Sequence, residues 1–554
     1  MSRTSLFPAP LLQLRAARLR RGDRLVFESI SLSVARGEIV ALCGANGSGK
    51  SSILGVLAGE LDLSAGQLLA KEAAAGLKQE PSSSQVPVHR RLLFFEPEVY
   101  RLALEIDAGR WEQLDAYETA GGYDIEQRAA TVASRFGLQH LLERSAETLS
   151  PGQLRKVDLA ALFSSRAPLL MLDEPTNYLD LEGLTQLEAE LHRHREGGGA
   201  ALIVSHDRAL LDAVADRSLH LELSPPKGHG KTERHAQGIT ESRGGYSSLL
   251  ALRRQLHQAA SERAQTLGRK IRQLEEVARQ RGQWAERKEA SKRGAGASKP
   301  FIAKRAKKMM KRSKDAERRR NEQVQKLEEE RPFVEKGLGL ASPSHAVARR
   351  TVFRARELEL PWGTDVPITL SLETSDRCGL LGDNGAGKTT LTRVIQQELP
   401  TTAGELDVNS HVPTAWLKQG LEGFFREAPL LTQLCERLET SKTSERARER
   451  ISESEIRTQL GCLRLRADRV LAVPSELSLG ERMRAALVQL ALARCDFVFL
   501  DEPTTHLDVE SIEVLERWLA EATSGFLLVS HDRRLLEQTC DRLFHLSEEG
   551  LKEL

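Results

Sequence analysis

The sequence predicts an α/β fold made of two related domains that are joined by a long α-helical hairpin. One set of motifs occurs twice, each copy alternates short apolar runs with helical segments, and a heptad pattern lies between the copies. The chain has 554 residues, more than a single hydrophobic core usually organises. The expected division is 1–240 for the first domain, 241–345 for the linker and 346–554 for the second domain.

The composition excludes several classes of protein. Apolar residues make up 40% of the chain and charged residues 29%, which is ordinary for a soluble globular protein. No run approaches the ~18 consecutive apolar residues of a membrane helix, so we expect no integral membrane segment. The six cysteines are scattered, which argues against a zinc ribbon, a CxxC redox pair or a disulfide framework. We therefore expect a reducing, cytoplasmic location.

Three motifs occur in the same order in both halves of the chain. They are a glycine-rich turn, an apolar run that ends in Asp-Glu, and an apolar run that ends in Ser-His-Asp. The copies are offset by 338, 328 and 325 residues, and their segments are 44–51 and 382–389, 170–176 and 498–504, and 204–208 and 529–533. Chance does not explain this order and spacing, so the chain contains a duplicated domain.

Each glycine-rich turn has the form GxxxxGK[ST] and lies between a predicted buried strand and a predicted helix. The glycines let backbone N–H groups converge on phosphate oxygens, and the helix N-terminus adds positive potential. The lysines should reach the outer phosphates, and the hydroxyl groups that follow them should bind Mg²⁺. The predicted ATP-binding residues of these turns are Gly44, Ala45, Asn46, Gly47, Ser48, Gly49, Lys50, Ser51, Ser52, Gly382, Asp383, Asn384, Gly385, Ala386, Gly387, Lys388, Thr389 and Thr390.

Two pairs of carboxylates follow the apolar runs. Asp173 and Asp501 end predicted strands, where they can hold Mg²⁺ together with Ser51 and Thr389. Glu174 and Glu502 come next and should face the other way in an extended chain, where a carboxylate can act as general base on the attacking water. The alternative is that these carboxylates only cap turns.

With these motifs in place, the chain resembles an ATP-binding cassette protein. The segments 149–153 and 477–481 match the LSGGQ signature of that family, although Pro151 and Leu479 replace its first glycine and Glu481 replaces its glutamine. The resemblance implies an ATP hydrolase of two α/β P-loop cassettes. It also implies that the chain is a monomer whose two cassettes pair head to tail and enclose two ATP molecules with Mg²⁺. The signature residues expected to contact ATP bound to the opposite cassette are Ser150, Gly152, Ser478 and Gly480.

The resemblance assigns further roles. Gln79 and Gln419 lie where the family has a metal-contacting glutamine, and His206 and His531 lie where it has a catalytic histidine. Trp362 stands where the family often places an aromatic side chain that stacks on adenine. The first copy has Arg21 at that position, and a guanidinium group can also stack on a base. Since both copies have the catalytic glutamate, we expect two competent sites.

The segment between the copies changes character along its length. Residues 224–245 are rich in glycine, proline and polar groups, which predicts a loop. From Leu249 apolar residues recur at heptad spacing, which predicts a helix over 249–289 and a second helix after a tip near 290–303. Residues 251–320 hold 23 basic and 7 acidic side chains, while the rest of the chain holds 57 basic and 71 acidic ones.

Such a charge block favours a polyanionic partner, and its lack of aromatic residues suits a phosphate backbone or folded RNA. The alternatives are a merely solvated basic face and an anionic membrane surface. The candidate RNA-binding residues near the tip are Lys292, Arg293, Lys299, Lys304, Arg305, Lys307, Lys308, Lys311 and Arg312.

Two cassettes on one chain with a basic linker resemble the ABC-F family. That resemblance implies binding to the tRNA exit site of the 70S ribosome, with contacts to rRNA and P-site tRNA, and either tuning of translation or protection from antibiotics. About 12 extra residues between Gln79 and Ser150, relative to the second copy, predict a short arm. The competing hypotheses are the ATPase subunit of a membrane transporter and a DNA-maintenance ATPase.

Overall fold

The computed structural model describes residues 10–70, 74–78, 85–224, 235–292, 318–319, 323–327, 339–340, 348–421, 423–440, 451–465, 468–493 and 495–554. Two compact units are present. One comprises Met1–Leu249 and Gly337–Leu554, and it contains both copies of the repeated domain; the other is Leu250–Lys336. The first cassette denotes the described residues up to Leu249, and the second cassette denotes those from Gly339 onward.

The described strands of the first cassette form one sheet. Its parallel part orders five strands as Ala74–Leu77, Leu169–Asp173, Ala200–Val204, Ile39–Cys43 and Arg217–Leu223. The three central strands are buried at every position, as expected for strands covered on both faces. The sheet continues through Ala236–Arg243, Arg24–Val34, Leu12–Arg21 and Ala65–Ala70.

The strand Ala236–Arg243 corrects the predicted loop over 224–245. It pairs antiparallel with Arg217–Leu223 and forms a parallel bridge between Ala236 and Phe27. Its sequence, AQGITESR, has no clear alternation of apolar and polar residues, and only Ala236 is buried. The pairing of backbone groups with the preceding strand therefore overrides the polar composition.

The second cassette repeats this architecture in two sheets within the described residues. The parallel part orders Thr414–Leu417, Phe497–Asp501, Gly525–Val529, Arg377–Gly382 and Arg542–Ser547, and the antiparallel strand Gly550–Glu553 completes that sheet. A separate antiparallel sheet contains Ile368–Glu373, Thr351–Glu359 and Ala403–Val408. The predicted strands before each P-loop and before each Asp-Glu pair are thus confirmed.

Helices cover both parallel sheets. Those of the first cassette are Lys50–Leu57, Val88–Arg91, Pro97–Asp107, Leu114–Thr119, Gly122–Arg135, Pro151–Ser164, Leu181–Glu196 and Arg208–Val214. Those of the second cassette are Lys388–Ile395, Leu430–Thr440, Glu453–Cys462, Asp468–Leu471, Leu479–Leu492, Val509–Glu521 and Arg533–Thr539. The segment 88–135, in the region of the predicted arm, has a small core of its own that includes Leu102, Tyr117 and Ile125.

A helix of 47 residues, Tyr246–Lys292, follows the first cassette. It contains the whole predicted range 249–289, and residues 318–319 and 323–327 are also helical. Ala264, Leu267 and Ile271 are buried as the heptad pattern predicts, whereas Leu256 of the same stripe is 52% exposed. In the described part of the chain, we find no helix whose length and apolarity would let it cross a membrane.

Candidate nucleotide sites between the cassettes

The two P-loops have closely similar backbones. Gly49 and Gly387 adopt φ values of 98° and 101°, in the left-handed region that favours glycine. The ammonium group of Lys50 donates hydrogen bonds to the carbonyl oxygens of Gly44 (2.8 Å) and Ala45 (3.2 Å). Lys388 makes the same bonds to Gly382 and Asp383, at 2.7 and 2.9 Å. Both lysines are therefore held within their own loops.

The aspartates at the strand ends are suited to a hard divalent cation. Burial raises the pKa of Asp173, and a hydrogen bond with Ser51 opposes this rise. Burial also raises the pKa of Asp501, and a hydrogen bond with Thr389 opposes it. The Oδ1 atom of Asp501 is buried without a hydrogen-bond partner. A buried carboxylate oxygen and an adjacent hydroxyl group are ligands that Mg²⁺ accepts, so these residues fit the metal.

The glutamates that follow differ from the extended conformation that we predicted. Glu174 and Glu502 both have φ of 48°, because the chain turns directly after each strand. Their N–H groups donate to the carbonyls of Val204 and Val529, which ties each turn to the neighbouring strand. Left-handed backbone at a non-glycine residue is unfavourable, and its presence at the same position in both cassettes marks a site where orientation matters.

Each glutamate faces the predicted histidine. The Nε2 atom of His206 lies 3.2 Å from Oε1 of Glu174, and the distance between His531 and Glu502 is 3.4 Å. Burial raises the pKa of both glutamates to about 8. Burial, with the nearby P-loop lysine, lowers the pKa of His206 to about 3 and that of His531 to about 4. The imidazoles are thus neutral, and the carboxyls titrate near neutral pH, where a general base is most useful.

The cassettes contact each other head to tail at these sites. Asn46 of the first P-loop donates to the carbonyl oxygen of His506 (3.0 Å), and Asn384 of the second donates to that of Tyr178 (2.8 Å). A Cβ atom added to signature Gly152 would lie 2.7 Å from the Tyr178 oxygen, and one at Gly480 would lie 2.5 Å from the His506 oxygen. Each of these carbonyls belongs to the same cassette as the glycine and accepts the bond from the opposite P-loop, whose Asn384 or Asn46 amide would lie 3.0 or 3.5 Å from the added atom. A side chain at either glycine would therefore displace the carbonyl on which the opposite P-loop is seated.

One continuous cleft collects most of the predicted residues from both cassettes. Trp362 borders it and is 66% exposed, and Arg21 borders it as well. Gly44, Ala45, Ser48, Gly382, Asp383 and Ala386 belong to the P-loops but do not line the cleft. Gln79 and the candidate RNA-binding residues from Arg293 to Arg312 lie outside the described residues, and Lys292 is described only as the last residue of a helix. The predicted residues that line it are Asn46, Gly47, Gly49, Lys50, Ser51, Ser52, Ser150, Gly152, Asp173, Glu174, His206, Trp362, Asn384, Gly385, Gly387, Lys388, Thr389, Thr390, Gln419, Ser478, Gly480, Asp501, Glu502 and His531.

Two residues that contact the predicted site residues were not themselves predicted as site residues. Asp508 accepts a hydrogen bond from the backbone of Asn46 (3.2 Å), so it joins the second cassette to the first P-loop. Arg469 lies nine residues before Ser478 and borders the cleft through an ion pair with Glu481. The departure of Glu481 from the signature pattern was the available signal, because an acidic replacement beside a phosphate site calls for a neighbouring cation.

Comparison with known proteins gives the class of the molecule. The model of the ABC transporter family matches residues 27–177 and 366–505, which together make up more than half of the chain. The chain therefore belongs to this family and contains two of its ATP-binding domains, which generally hydrolyse ATP with Mg²⁺.

The chain is also similar to particular proteins along nearly its whole length. It is 27% identical to the putative ATP-binding protein YdiF of Bacillus subtilis, over 96% of this chain and 79% of the relative. It is 25% identical to the ribosome protection protein VmlR of the same organism, over 96% and 86%. These relatives confirm the predicted ABC-F type. A crystal structure of archaeal ribosome recycling factor aABCE1 with stalk protein aP1 has a TM-score of 0.59 at 18% identity, over 97% and 89%, and shares the tandem-cassette fold.

Proposed function

We propose that this protein is a ribosome-associated ABC-F ATPase. In its ATP state it binds the tRNA exit site of the 70S ribosome, where it modulates translation or protects the ribosome from antibiotics of the peptidyl-transferase centre. The observation that carries the proposal is the head-to-tail contact of two cassettes on one chain that also has a strongly basic linker. The alignment with VmlR, a ribosome protection protein, over 96% of this chain supports the same interpretation.

Two composite sites follow from the contacts between the cassettes. The first consists of Lys50, Asp173, Glu174 and His206, completed by the signature residues around Ser478. The second consists of the corresponding residues Lys388, Asp501, Glu502 and His531, completed by Ser150 and Gly152. Because each nucleotide would lie between the two cassettes, its γ-phosphate favours the closed pair, and loss of that phosphate removes part of the interface.

The residues of each site have separable roles in hydrolysis. Glu174 and Glu502 accept a proton from the attacking water, because burial, which raises their pKa, makes the ionised carboxylates stronger bases than exposed ones. His206 and His531 are neutral and can donate one hydrogen bond to the γ-phosphate. Asp173, Asp501, Ser51 and Thr389 would hold Mg²⁺, and Gln419 lines the same cleft. Bound Mg²⁺ supplies positive charge that offsets the charge of the phosphate oxygens.

Trapping the ATP state tests the proposal. The double variant Glu174→Gln plus Glu502→Gln removes both bases and keeps ATP binding, so it should remain closed and co-sediment with 70S ribosomes when ATP is present. The same variant without nucleotide is the matched control, and it should stay in the supernatant. A trapped variant that ran free of ribosomes in ATP would contradict the proposal.

The alternative is the ATPase subunit of a membrane transporter, which the description of the matching family favours. Fractionating cells that express the trapped double variant separates the two functions. Recovery with membranes rather than with ribosomes would support the transporter.

The basic tip near residues 290–314 is the proposed contact with rRNA and P-site tRNA. Changing Lys304, Arg305, Lys307 and Lys308 to glutamine should weaken ribosome binding and reduce its log–log salt slope by roughly three to four, because each lost phosphate contact releases about one counterion fewer. The matched control carries the same change at four exposed basic residues outside the tip, Arg254, Arg263, Arg269 and Lys270. Equal salt slopes for the two variants would show that the tip charge is incidental.

A further inference from the structure

The two signature segments use the same capping geometry with different chemistry. Ser150 begins the helix Pro151–Ser164, and its N–H group donates to the amide oxygen of Gln153 (3.1 Å). Ser478 begins the helix Leu479–Leu492, and its N–H group donates to the carboxylate of Glu481 (2.9 Å). The second segment therefore contains an ionisable group where the first has a neutral amide.

This carboxylate lies close to the hydroxyl group that faces the opposite nucleotide. The Oγ atom of Ser478 is 3.0 Å from Oε2 of Glu481, and both residues line the cleft. The Glu481 side chain is only 16% exposed, so water screens its charge weakly. An uncompensated anion here would repel the phosphates that the first P-loop binds and would compete for the serine hydroxyl.

Arg469 compensates that charge with a two-pronged ion pair. Its Nε atom donates to Oε1 of Glu481 at 2.8 Å, and its Nη2 atom donates to Oε2 at 2.6 Å. Burial favours the neutral form of Glu481, but hydrogen bonds from Arg469 and Ser478 hold the pKa of that carboxyl below its usual range. The carboxylate is therefore charged and paired at neutral pH, in a geometry that a lysine cannot reproduce.

The first cassette has neither member of this pair. The position 328 residues before Arg469, the offset that relates Ser478 to Ser150, is Leu141, which is 1% exposed. At the position of Arg469, the first cassette has a core leucine, and its signature has the neutral glutamine.

The nearby Arg144 of the first cassette donates to the backbone carbonyl and hydroxyl group of Thr148, the counterpart of Glu476, whose carbonyl also accepts a bond from Arg469. An arginine paired with a signature carboxylate therefore occurs only in the second cassette, as charge compensation predicts.

We propose that Arg469 is a positioning residue of the nucleotide site that Ser478 completes, where it neutralises Glu481 so that the signature serine can meet the phosphates held by Lys50. The proposal rests on the composite sites described under the proposed function. It also assigns the two sites different requirements: the site that Ser150 completes needs no arginine, since Gln153 is neutral.

A double-mutant cycle on the full chain tests this role through the ATPase KM and kcat. Arg469→Ala leaves the Glu481 charge uncompensated and should raise KM for ATP about tenfold with a smaller change in kcat. Glu481→Gln should lower KM about twofold. In the Glu481→Gln background, Arg469→Ala should change KM by less than about twofold, because no charge is left to neutralise.

Two further variants keep the test decisive. Arg469→Lys retains the positive charge but cannot donate the two parallel hydrogen bonds to Glu481. Its KM for ATP should therefore lie between those of the wild type and the Arg469→Ala variant. Gln153→Glu combined with Arg144→Ala introduces a carboxylate in the first cassette without the nearby arginine, which otherwise donates to Thr148, and should raise KM as Arg469→Ala does. Nucleotide-free thermal unfolding of each variant measures any effect on the fold separately, and Arg469→Lys should change it little, since this side chain is 42% exposed.

The outcomes separate this proposal from the proposed function. If the double variant is as impaired as Arg469→Ala alone, the arginine acts by supporting the fold and the proposal is overturned. Wild-type KM for Arg469→Ala would overturn it as well. In both cases the ATP-dependent sedimentation of the Glu174→Gln plus Glu502→Gln variant with ribosomes would be unaffected, so the proposed function would be judged on that experiment alone.

Discussion

The two cassettes have the same catalytic residues but different charges where they meet. The helix Val509–Glu521 of the second cassette presents acidic side chains three residues apart, at Glu510, Glu513 and Glu516, on the face that contacts the first cassette. They lie 3.5 Å from His220, 3.0 Å from the Tyr246 hydroxyl and 2.5 Å from Arg208, respectively. The interface therefore includes a continuous row of ionic and hydrogen-bonded contacts on this side.

The corresponding helix of the first cassette, Leu181–Glu196, has a weaker pattern. Glu188 is the counterpart of Glu516, and it lies 4.0 Å from Arg533, the counterpart of Arg208. Arg208 is 1% exposed, whereas Arg533 is 31% exposed. Duplication thus left the reaction chemistry of the two copies alike, while the charges that hold the copies together diverged.

The largest expected difference concerns this arginine pair. Arg208→Ala leaves Glu516 and Asp532 without their buried cation and should disfavour closure by about 3 kcal/mol, whereas Arg533→Ala should cost less than about 1 kcal/mol. The measurement is the ATP concentration that half-closes the cassettes, read by energy transfer between dyes on the two cassettes in the Glu174→Gln plus Glu502→Gln background. Equal shifts for the two variants would show that the interface is symmetric in energy.

The sequence predicted most of the reaction chemistry and little of this interface. The P-loops, Asp173, Glu174 and His206 are recognisable because short-range motifs place them at strand ends, where the parallel sheet brings them together. Pairs such as Arg208 with Glu516 are 308 residues apart and follow no motif. They depend on how two folded surfaces dock, which local patterning does not encode.

Two local predictions were wrong because the conformation depends on contacts with a neighbouring strand. The strand Ala236–Arg243 was predicted as a loop because its side chains are mostly polar, and only pairing with Arg217–Leu223 makes it a strand. The left-handed backbone of Glu174 and Glu502 was predicted as extended, since nothing in an Asp-Glu-Pro sequence states where the chain turns. Glu481 was noticed as a departure from the signature, but its partner Arg469 was found only from geometry.

A smaller effect is expected where the long helix begins. Tyr246 is 1% exposed and donates its hydroxyl hydrogen to Glu513, whereas the counterpart of Glu513 in the first cassette is Thr185. Tyr246→Phe removes this hydrogen bond and should disfavour closure by about 1 kcal/mol in the same assay. Tyr123→Phe is the matched control, because Tyr123 is 53% exposed, and it should have no effect. Equal closure of the two variants would show that the hydrogen bond from Tyr246 to Glu513 does not stabilise the interface.

The last expected effect concerns folding rather than closure, and it is a pH dependence at the centre of the interface. Burial, with the nearby charge of Asp532 on the second cassette, raises the pKa of Asp207 to about 6, while Arg533 and the N–H groups of Leu210 and Ala209 oppose that shift. A carboxyl whose pKa is higher in the folded state stabilises that state fully below its ordinary pKa. It loses this contribution as pH rises through about 6.

Asp207→Asn keeps the helix-capping bond to Leu210 and removes the charge, so it should behave like a permanently protonated aspartate. Relative to wild type it should be more stable at pH 7.5, by at most about 3 kcal/mol for a rise of about two pKa units, and the difference should shrink at pH 5. Thermal unfolding of both proteins at the two pH values measures this. Asp532→Asn is the contrasting variant, since it also removes a partner 3.5 Å from Arg208 and should destabilise the protein. A stability difference between Asp207→Asn and wild type that is the same at both pH values would mean that Asp207 does not titrate in this range.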